Sequence, residues 1–266
     1  MKSIIALIRI HWLTFTSYRM NVVFSLGGLL AMLVPVYLVS SSLQPVVAES
    51  IAGEGGAYFG FLVIGLAAMQ LIGISVRGLP QAIAGGITSG TLESLFSTPT
   101  SLQQLLAGLT GYGILWAVTR SSLLIAGIAL FGGTLFWTGV PLAALIVALL
   151  VLAHLPFGIL LASGTLVFRT TGPIGPALLG AFTLLGGVYY STTVIPEVVR
   201  PLAALMPTTY GLRALRRVLL SGQTLGAVAG DVAVLAVIGG VLLAISMVVF
   251  SWSLRYAKRT GTLAQY

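Results

Sequence analysis

The stretch PLAALIVALLVLAHLPFGILLASGTLVF, residues 141–168, decides the fold class of this 266-residue chain. It contains no aspartate, glutamate, lysine or arginine from one end to the other. A helix that crosses the hydrocarbon core of a bilayer needs roughly 20 predominantly apolar residues. The stretch therefore predicts a transmembrane helix.

Five further apolar stretches, separated by short polar breaks, repeat this pattern. They span residues 22–43, 58–79, 105–131, 174–192 and 228–252. Over the whole chain 58% of the residues are hydrophobic and 7% are charged, whereas a soluble domain carries about 25% charged residues. We therefore expect an all-α polytopic membrane protein, with one transmembrane domain over residues 1–266 and six transmembrane helices.

Residues 1–20 predict a helix that lies in the headgroup region of the membrane. Apolar side chains fall on one helical stripe and polar side chains on another. The two stripes are Ile4, Ile8, Trp12 and Phe15, and Lys2, Arg9 and Thr16. An extension of the first span is the alternative. The segment lacks the apolar core and cleavage site of a signal peptide, so we expect the first span to remain in the mature protein.

The distribution of lysine and arginine predicts the orientation. With the N-terminus inside, the cytoplasmic side receives Lys2, Arg9, Arg19, Arg77, Arg169, Arg255, Lys258 and Arg259, and the outer side receives Arg200, Arg213, Arg216 and Arg217. We expect a multi-pass protein of the plasma or inner membrane with both termini in the cytoplasm. The scattered basic residues, which give a net charge of +8, do not form the patch of a nucleic-acid-binding protein.

Residues 193–224 form a segment that is too long and too apolar for an ordinary surface loop. Three prolines punctuate this long, moderately apolar segment, and residues 208–220 predict a helix that carries Arg213, Arg216 and Arg217 on adjacent turns. Backbone that enters a membrane without crossing it is tolerated where protein buries it. We expect a pair of short outer helices that are re-entrant.

Several enzyme classes are excluded by the residue inventory. The only lysines, Lys2 and Lys258, do not follow a glycine-rich turn, so the phosphate-binding loop of an ATPase is absent. The chain has no cysteine and a single aspartate, Asp231, which leaves no basis for a thiol nucleophile or a multi-aspartate metal site. We expect no catalytic residue, no metal and no cofactor bound by this chain.

Two polar residues inside the predicted spans are candidates for a translocation path. Arg120 lies in the third span, where a charge in hydrocarbon costs at least about 2.5 kcal/mol. It either faces an internal cavity or subunit interface, or it extends to the outer headgroups. His154, in the fourth span, either lines a helix contact or contacts the substrate.

The stretch QAIAGGITSGTLESLFSTPTS, residues 81–101, connects the second and third spans on the predicted cytoplasmic side. It has an apolar edge and one acidic residue, and it can form a short helix that ends at Pro99. From the residues alone, both an interfacial loop and a protein-docking segment remain open. Residues 80–104 are the cytoplasmic segment of interest.

At these residues the chain resembles the type-2 ABC transporter permeases, also called the ABC-2 type. Two motifs carry the resemblance. The first is Gly90, Thr91, Leu92, Glu93, Leu95, Thr98 and Pro99. The second, after the fifth span, is Gly187, Tyr189, Tyr190, Pro196, Pro207, Thr208, Tyr210 and Arg213. One departure is that residues 85–89 replace the acidic and basic pair that the family often has before the first motif.

The resemblance implies a six-span permease half that pairs with an identical or related half and with two cytoplasmic ABC ATPase subunits, which bind ATP and Mg. The Gly90–Pro99 motif, including Phe96, would couple to the ATPase. The substrate would be hydrophobic or amphipathic, such as a drug, an antibiotic, a lipid or a lipid-linked glycan, and it would move outward. A self-sufficient secondary transporter or channel that uses Arg120, Asp231 or His154 is the alternative, and an intramembrane enzyme is disfavoured by the inventory.

Overall fold

The computed structural model describes residues 19–90, 101–168 and 172–260. The predicted interfacial helix at the N-terminus lies outside the described residues except for Arg19 and Met20. The predicted coupling motif, Gly90–Pro99, also lies outside them from Thr91 to Pro99, and only Gly90 at its start is described.

The described residues fold into α-helices joined by turns and short 3₁₀ helices. The α-helices are α1 (Arg19–Ala31), α2 (Leu33–Val47), α3 (Tyr58–Thr88), α4 (Leu102–Leu130), α5 (Val140–Phe168), α6 (Ile174–Leu185), α7 (Arg200–Ala204), α8 (Pro207–Ser221) and α9 (Leu225–Thr260). The 3₁₀ helices are Ala52–Glu54, Trp137–Gly139 and Thr192–Val194.

Within the described residues, five helical segments are long and apolar enough to cross a membrane. They are Val23–Val47, Tyr58–Thr88, Gln103–Leu130, Trp137–Phe168 and Leu225–Thr260. They coincide with the first, second, third, fourth and sixth predicted spans, so the prediction of an all-helical polytopic membrane protein is confirmed.

The fifth predicted span is shorter than the sequence indicates. Helix α6 has 12 residues, which corresponds to a length of about 18 Å, whereas the hydrocarbon core is about 30 Å thick. The helix ends at Leu185 because the backbone turns at Gly187, whose φ of 74° is accessible to glycine at little cost. The chain then continues without helix over residues 186–191, although these residues are still moderately apolar.

The bundle is built on α3, α4, α5 and α9, and its main hydrophobic core also contains buried residues of α8. Helix α3 packs against both α4 and α5, and α9 packs along α5. The Ser121 hydroxyl of α4 donates a hydrogen bond of 2.7 Å to the Ala67 carbonyl of α3. A Cβ atom at Gly158 of α5 would lie 2.1 Å from the Ser75 carbonyl oxygen of α3. The absence of a side chain at Gly158 therefore allows α3 and α5 to approach closely.

The long helices have two common ends. One end, here called the Tyr58 end, contains Tyr58 of α3, Leu130 of α4 and Val140 of α5. The opposite end contains Thr88 and Leu102, which flank the Gly90–Pro99 motif. The halfway level between these ends is marked by Gly73 in α3, Trp116 in α4 and His154 in α5, the central residues of their helices.

Candidate functional site

Helix α8 carries the last four residues of the second motif, Pro207, Thr208, Tyr210 and Arg213, and it lies inside the protein. It begins with Pro207 at its first position, where the missing N–H costs nothing. It ends at Gly222, whose φ of 65° is left-handed. Eleven of its 15 residues are buried, which excludes a helix that lies freely on the surface. It contacts α3, α5 and α9.

The N-terminus of α8 reaches the halfway level of the helix bundle. The Thr208 hydroxyl lies 2.9 Å from the Nε2 atom of His154. The other ring nitrogen of His154 lies 2.7 Å from the Leu150 carbonyl oxygen, and the ring packs edge-on against Phe182 of α6. His154 is fully buried. These contacts place His154 in a helix junction, among packed side chains.

The C-terminus of α8 lies at the Tyr58 end. The Leu219 carbonyl accepts a 2.9 Å hydrogen bond from the Phe136 N–H, just before α5. A Cβ atom at Gly222 would lie 2.6 Å from the Phe136 ring. Helix α8 therefore runs from the middle of the bundle to its Tyr58 end.

Arg216 of α8 is held in a buried ionic site. It is 1% exposed, and Glu54, which follows α2, is 8% exposed. The Arg216 Nη1 atom donates to Glu54 at 3.0 Å. It also donates to the Gly187 carbonyl at 3.0 Å, and Nη2 donates to the Val188 carbonyl at 3.0 Å. The guanidinium lies 3.3 Å from the centroid of the Phe61 ring. Because a lone buried charge is very unfavourable, Glu54 and the carbonyls are what allow Arg216 to occupy this position.

The same site holds the non-helical backbone that follows α6. The Gly187 and Val188 carbonyls, which no helix satisfies, accept from Arg216. The Tyr189 carbonyl accepts from the Tyr58 hydroxyl at 3.0 Å. The chain therefore continues from the end of α6 to the Tyr58 end, with its polar backbone groups satisfied by side chains.

A second ionic site joins α8 to the start of α9. The Nε atom of Arg213 lies 3.1 and 3.0 Å from the two carboxylate oxygens of Asp231, and its Nη2 atom also donates to that carboxylate. Arg217 lies 3.8 Å from the same carboxylate. The Arg213 and Arg217 side chains are each 32% exposed, while Asp231 is 8% exposed. The Asp231 charge is thus compensated by two arginines.

The remaining residues of the second motif shape the connection before α8. Tyr190 donates its hydroxyl to the Leu184 carbonyl. The Pro196 carbonyl accepts from the N–H groups of Val199 and Arg200 at 2.9 and 3.0 Å. The Tyr210 hydroxyl donates to the Ala204 carbonyl of α7 at 2.8 Å. The motif residues therefore lie in one region around α8.

The two candidate residues for a translocation path do not share a site. Arg120 lines a cavity between α3 and α4, whereas His154 is enclosed by α5, α6 and α8. The sequence also missed Glu54 and Arg216. The sequence feature that could have indicated this pair is the small number of acidic residues, five in the chain. Each carboxylate near an apolar segment needs a basic partner.

Comparison with known proteins identifies the family. The family model described as ABC-2 type transporter matches residues 2–220. The chain belongs to the ABC-2 type transporter family. The resemblance seen in the two motifs is therefore confirmed. ABC-2 membrane permease domains lack the ATPase.

Curated relatives of this ABC-2 protein include the inner membrane transport permease YadH of Escherichia coli K12 and that of Shigella flexneri. Each is 27% identical over 167 residues, which cover 61% of the chain. The chain spans about 63% of the length of these curated relatives.

Proposed function

We propose that the chain is the permease half of an ATP-driven exporter for a hydrophobic or amphipathic substrate, with ATP hydrolysed by a partner. The observation that carries this proposal is the family match over residues 2–220. The described residues contain five helices long and apolar enough to span a membrane, which a transport path requires. ABC-2 permeases generally pair with an ABC ATPase. A drug, an antibiotic, a lipid and a lipid-linked glycan all fit this class.

The geometry of α6 to α8 supports six crossings of the membrane. In the proposed topology, α6 enters from the cytoplasmic side and the non-helical residues 186–189 complete the crossing to the Tyr58 end. The carbonyl contacts of Arg216 and Tyr58 support this path. The Tyr58 end is then the outer side, and both termini are cytoplasmic.

The path of α8 supports a re-entrant outer segment over residues 193–224. Residues 207 and 208 lie at the level of His154, halfway along α5, and α8 returns to the Tyr58 end at Gly222. Such a segment can stay in the membrane because its polar groups are satisfied by protein. The name of the E. coli relative supports the inner membrane as the location of this chain.

An apolar cavity of about 550 Å³ between α4, α5 and α8 supports a hydrophobic or amphipathic substrate. Among its lining residues are Ile125, Val140 and Leu215. Apolar walls select mainly by size and apolar area. In the proposed dimer of identical or related halves, the main path lies at the interface between the halves.

The Gly90–Pro99 motif is the proposed coupling element. It joins α3 to α4 directly, so a displacement of a docked ATPase would reach both helices. Leu92, Leu95 and Phe96 supply an apolar anchor, and Glu93 supplies a charge for a basic group on the partner.

Co-purification tests this proposal. The tagged chain, extracted from its native membranes, should bring down an ABC ATPase in a ratio of one ATPase to one permease. Glu93→Arg should reduce the captured ATPase at least tenfold, because loss of one partner of an interface ion pair costs about 2 to 5 kcal/mol. Glu49→Arg, on the outer side and exposed, is the matched control and should change nothing. If both variants capture the same amount of ATPase, the Gly90–Pro99 motif is not the coupling element. If no preparation contains an ATPase, the proposed function as an ATP-driven exporter is contradicted.

A further inference from the structure

A cavity of about 500 Å³ lies between α3 and α4 at the halfway level of the bundle. Gly73 and Trp116, the central residues of the two helices, both line it. In the proposed topology, in which these helices cross the bilayer, this level lies within the hydrocarbon core. A cavity at this depth is expected to have apolar walls unless ionisable residues in it serve a function such as ligand binding.

Two arginines face this cavity, Arg77 from α3 and Arg120 from α4. Helical side chains lean towards the N-terminus of their helix. Because α3 and α4 are antiparallel, Arg77 and Arg120 lean towards each other from opposite sides of the halfway level. The Nη2 atom of Arg77 lies 3.3 Å from the Cβ position of Gly73, so its guanidinium reaches the centre of α3.

This direction argues against Arg77 as a simple headgroup anchor. An arginine that extends to the nearer membrane surface would point towards the Thr88 end of α3. Arg77 points the other way, towards Gly73. The Nε atom of Arg120 is buried and has no hydrogen-bond partner within the described part of the chain.

No acidic residue compensates these two charges within the described residues. Glu54 and Asp231 are bound to arginines of α8. Glu49 and Glu197 do not line the cavity, and Glu93 lies outside the described residues. Two guanidiniums that line one cavity, with no carboxylate of the described residues beside them, form a site of positive potential.

The walls of the cavity combine hydrogen-bonding and apolar groups. Gln70 and Gln81 provide amides at the two ends of the α3 wall, while Ile74, Leu109 and Trp116 provide apolar surface. An inorganic anion would use only the polar groups. A molecule with an anionic group and an attached apolar part uses both.

We propose that the α3–α4 cavity binds the anionic group of an amphipathic molecule, a phosphate or a carboxylate, between Arg77 and Arg120. This inference rests on the proposed function in one respect: it narrows the substrate class to anionic amphiphiles. A transported amphiphile and a membrane phospholipid share this chemistry, so a phospholipid can serve as the probe of the site.

Native mass spectrometry of the full, delipidated chain in detergent tests the proposal, with dioleoylphosphatidylglycerol as the anionic probe and dioleoylphosphatidylcholine as the zwitterionic reference. The chain should bind one phosphatidylglycerol at least tenfold more tightly than phosphatidylcholine. Arg77→Gln and Arg120→Gln should each weaken phosphatidylglycerol binding about tenfold, since a hydrogen bond to a charged group contributes enough for a factor of this size. Arg77→Lys should retain most of the binding.

Arg255→Gln is the matched control because it removes an equal charge from an exposed position near the end of α9. It should leave phosphatidylglycerol binding unchanged. Equal weakening by Arg255→Gln, or unchanged binding in Arg77→Gln, would overturn the proposal. Because Arg77 is exposed, Arg77→Gln should fold. This variant therefore tests the proposal even if Arg120→Gln does not fold.

A second arm of the experiment adds inorganic phosphate as competitor. Phosphate should displace phosphatidylglycerol only at concentrations at least a hundredfold higher, and displacement at equal concentration would refute the amphipathic part of the proposal. The assay contains neither ATP nor ATPase. A negative result would therefore leave the permease function untouched, and the absence of an ATPase partner would leave the binding result untouched.

Discussion

Removal of the Glu54 carboxylate should destabilise the fold strongly, because Arg216 would remain charged and buried. Glu54→Gln keeps the size of the side chain and removes only its charge. Arg216 is 1% exposed and cannot reach water. It would keep the carbonyls of Phe61, Gly187 and Val188 as acceptors, but it would lose its carboxylate.

Breaking a buried ion pair by removal of one partner costs about 3 to 5 kcal/mol. Because three carbonyls still accept from Arg216, we expect a loss near the lower end, about 3 kcal/mol in the free energy of unfolding. The measurement is unfolding in mixed micelles by titration with dodecyl sulfate, followed by circular dichroism. Glu49→Gln, which removes an exposed acid five positions before Glu54, should change the free energy by less than about 0.5 kcal/mol.

A double-mutant cycle identifies the cause of the loss. Arg216→Met in the Glu54→Gln background removes the unpaired charge, so the double variant should be more stable than the sum of the single losses predicts by about 2 kcal/mol. Additive losses would show that the two side chains are not coupled. If Glu54→Gln unfolds like the unmodified chain, the buried pair does not hold the outer segment and the reasoning is refuted.

Three further predictions concern helix packing, the second ionic site and topology. Gly158→Ala should reduce the free energy of unfolding by more than about 2 kcal/mol, because the added Cβ would lie 2.1 Å from the Ser75 carbonyl oxygen. Gly180→Ala is the control: a Cβ at Gly180 has no neighbouring atom within 4 Å, so the protein should unfold as before in the same titration. Asp231→Asn should cost about 1 to 2 kcal/mol, less than the fully buried pair, because both arginines around it are one-third exposed; an equal or larger loss would contradict this ranking. A cysteine in place of Thr193 should react with an impermeant maleimide added to intact cells, and one in place of Ser94 should react only after permeabilisation; the reverse pattern would invert the topology.

The spans could be predicted because hydrocarbon imposes a strict composition on a crossing helix. Residues 141–168 contain no Asp, Glu, Lys or Arg, and the corresponding helix begins at Val140 and ends at Phe168. The predicted helix over residues 208–220 is Pro207–Ser221 in the structure. Composition and proline or glycine positions determine these features locally.

The end of α6 could not be predicted because apolar composition does not distinguish a helix from extended backbone that other residues satisfy. Gly187 permits the turn. Arg216, 29 positions further along the chain, donates a hydrogen bond to the Gly187 carbonyl, which no helix satisfies. Hydropathy alone therefore extended the fifth span to Thr192.

The ionic sites could not be predicted because their partners are distant in sequence. Glu54 and Arg216 are 162 positions apart, and no local pattern in the sequence connects them. The family resemblance singled out Arg213 as part of the second motif, but its partner Asp231 lies on the neighbouring helix α9, 18 positions further along the chain.

The central claim is that this membrane domain works with an ATPase supplied by another chain, and ATP turnover tests it most directly. The chain purified alone in lipid nanodiscs should hydrolyse ATP no faster than empty nanodiscs. The complex with the ABC ATPase that co-purifies from native membranes should hydrolyse ATP faster than that ATPase alone, and Glu93→Arg should abolish this stimulation. ATP turnover by the permease chain alone, or an ATPase whose activity is the same with and without the permease, would contradict the account.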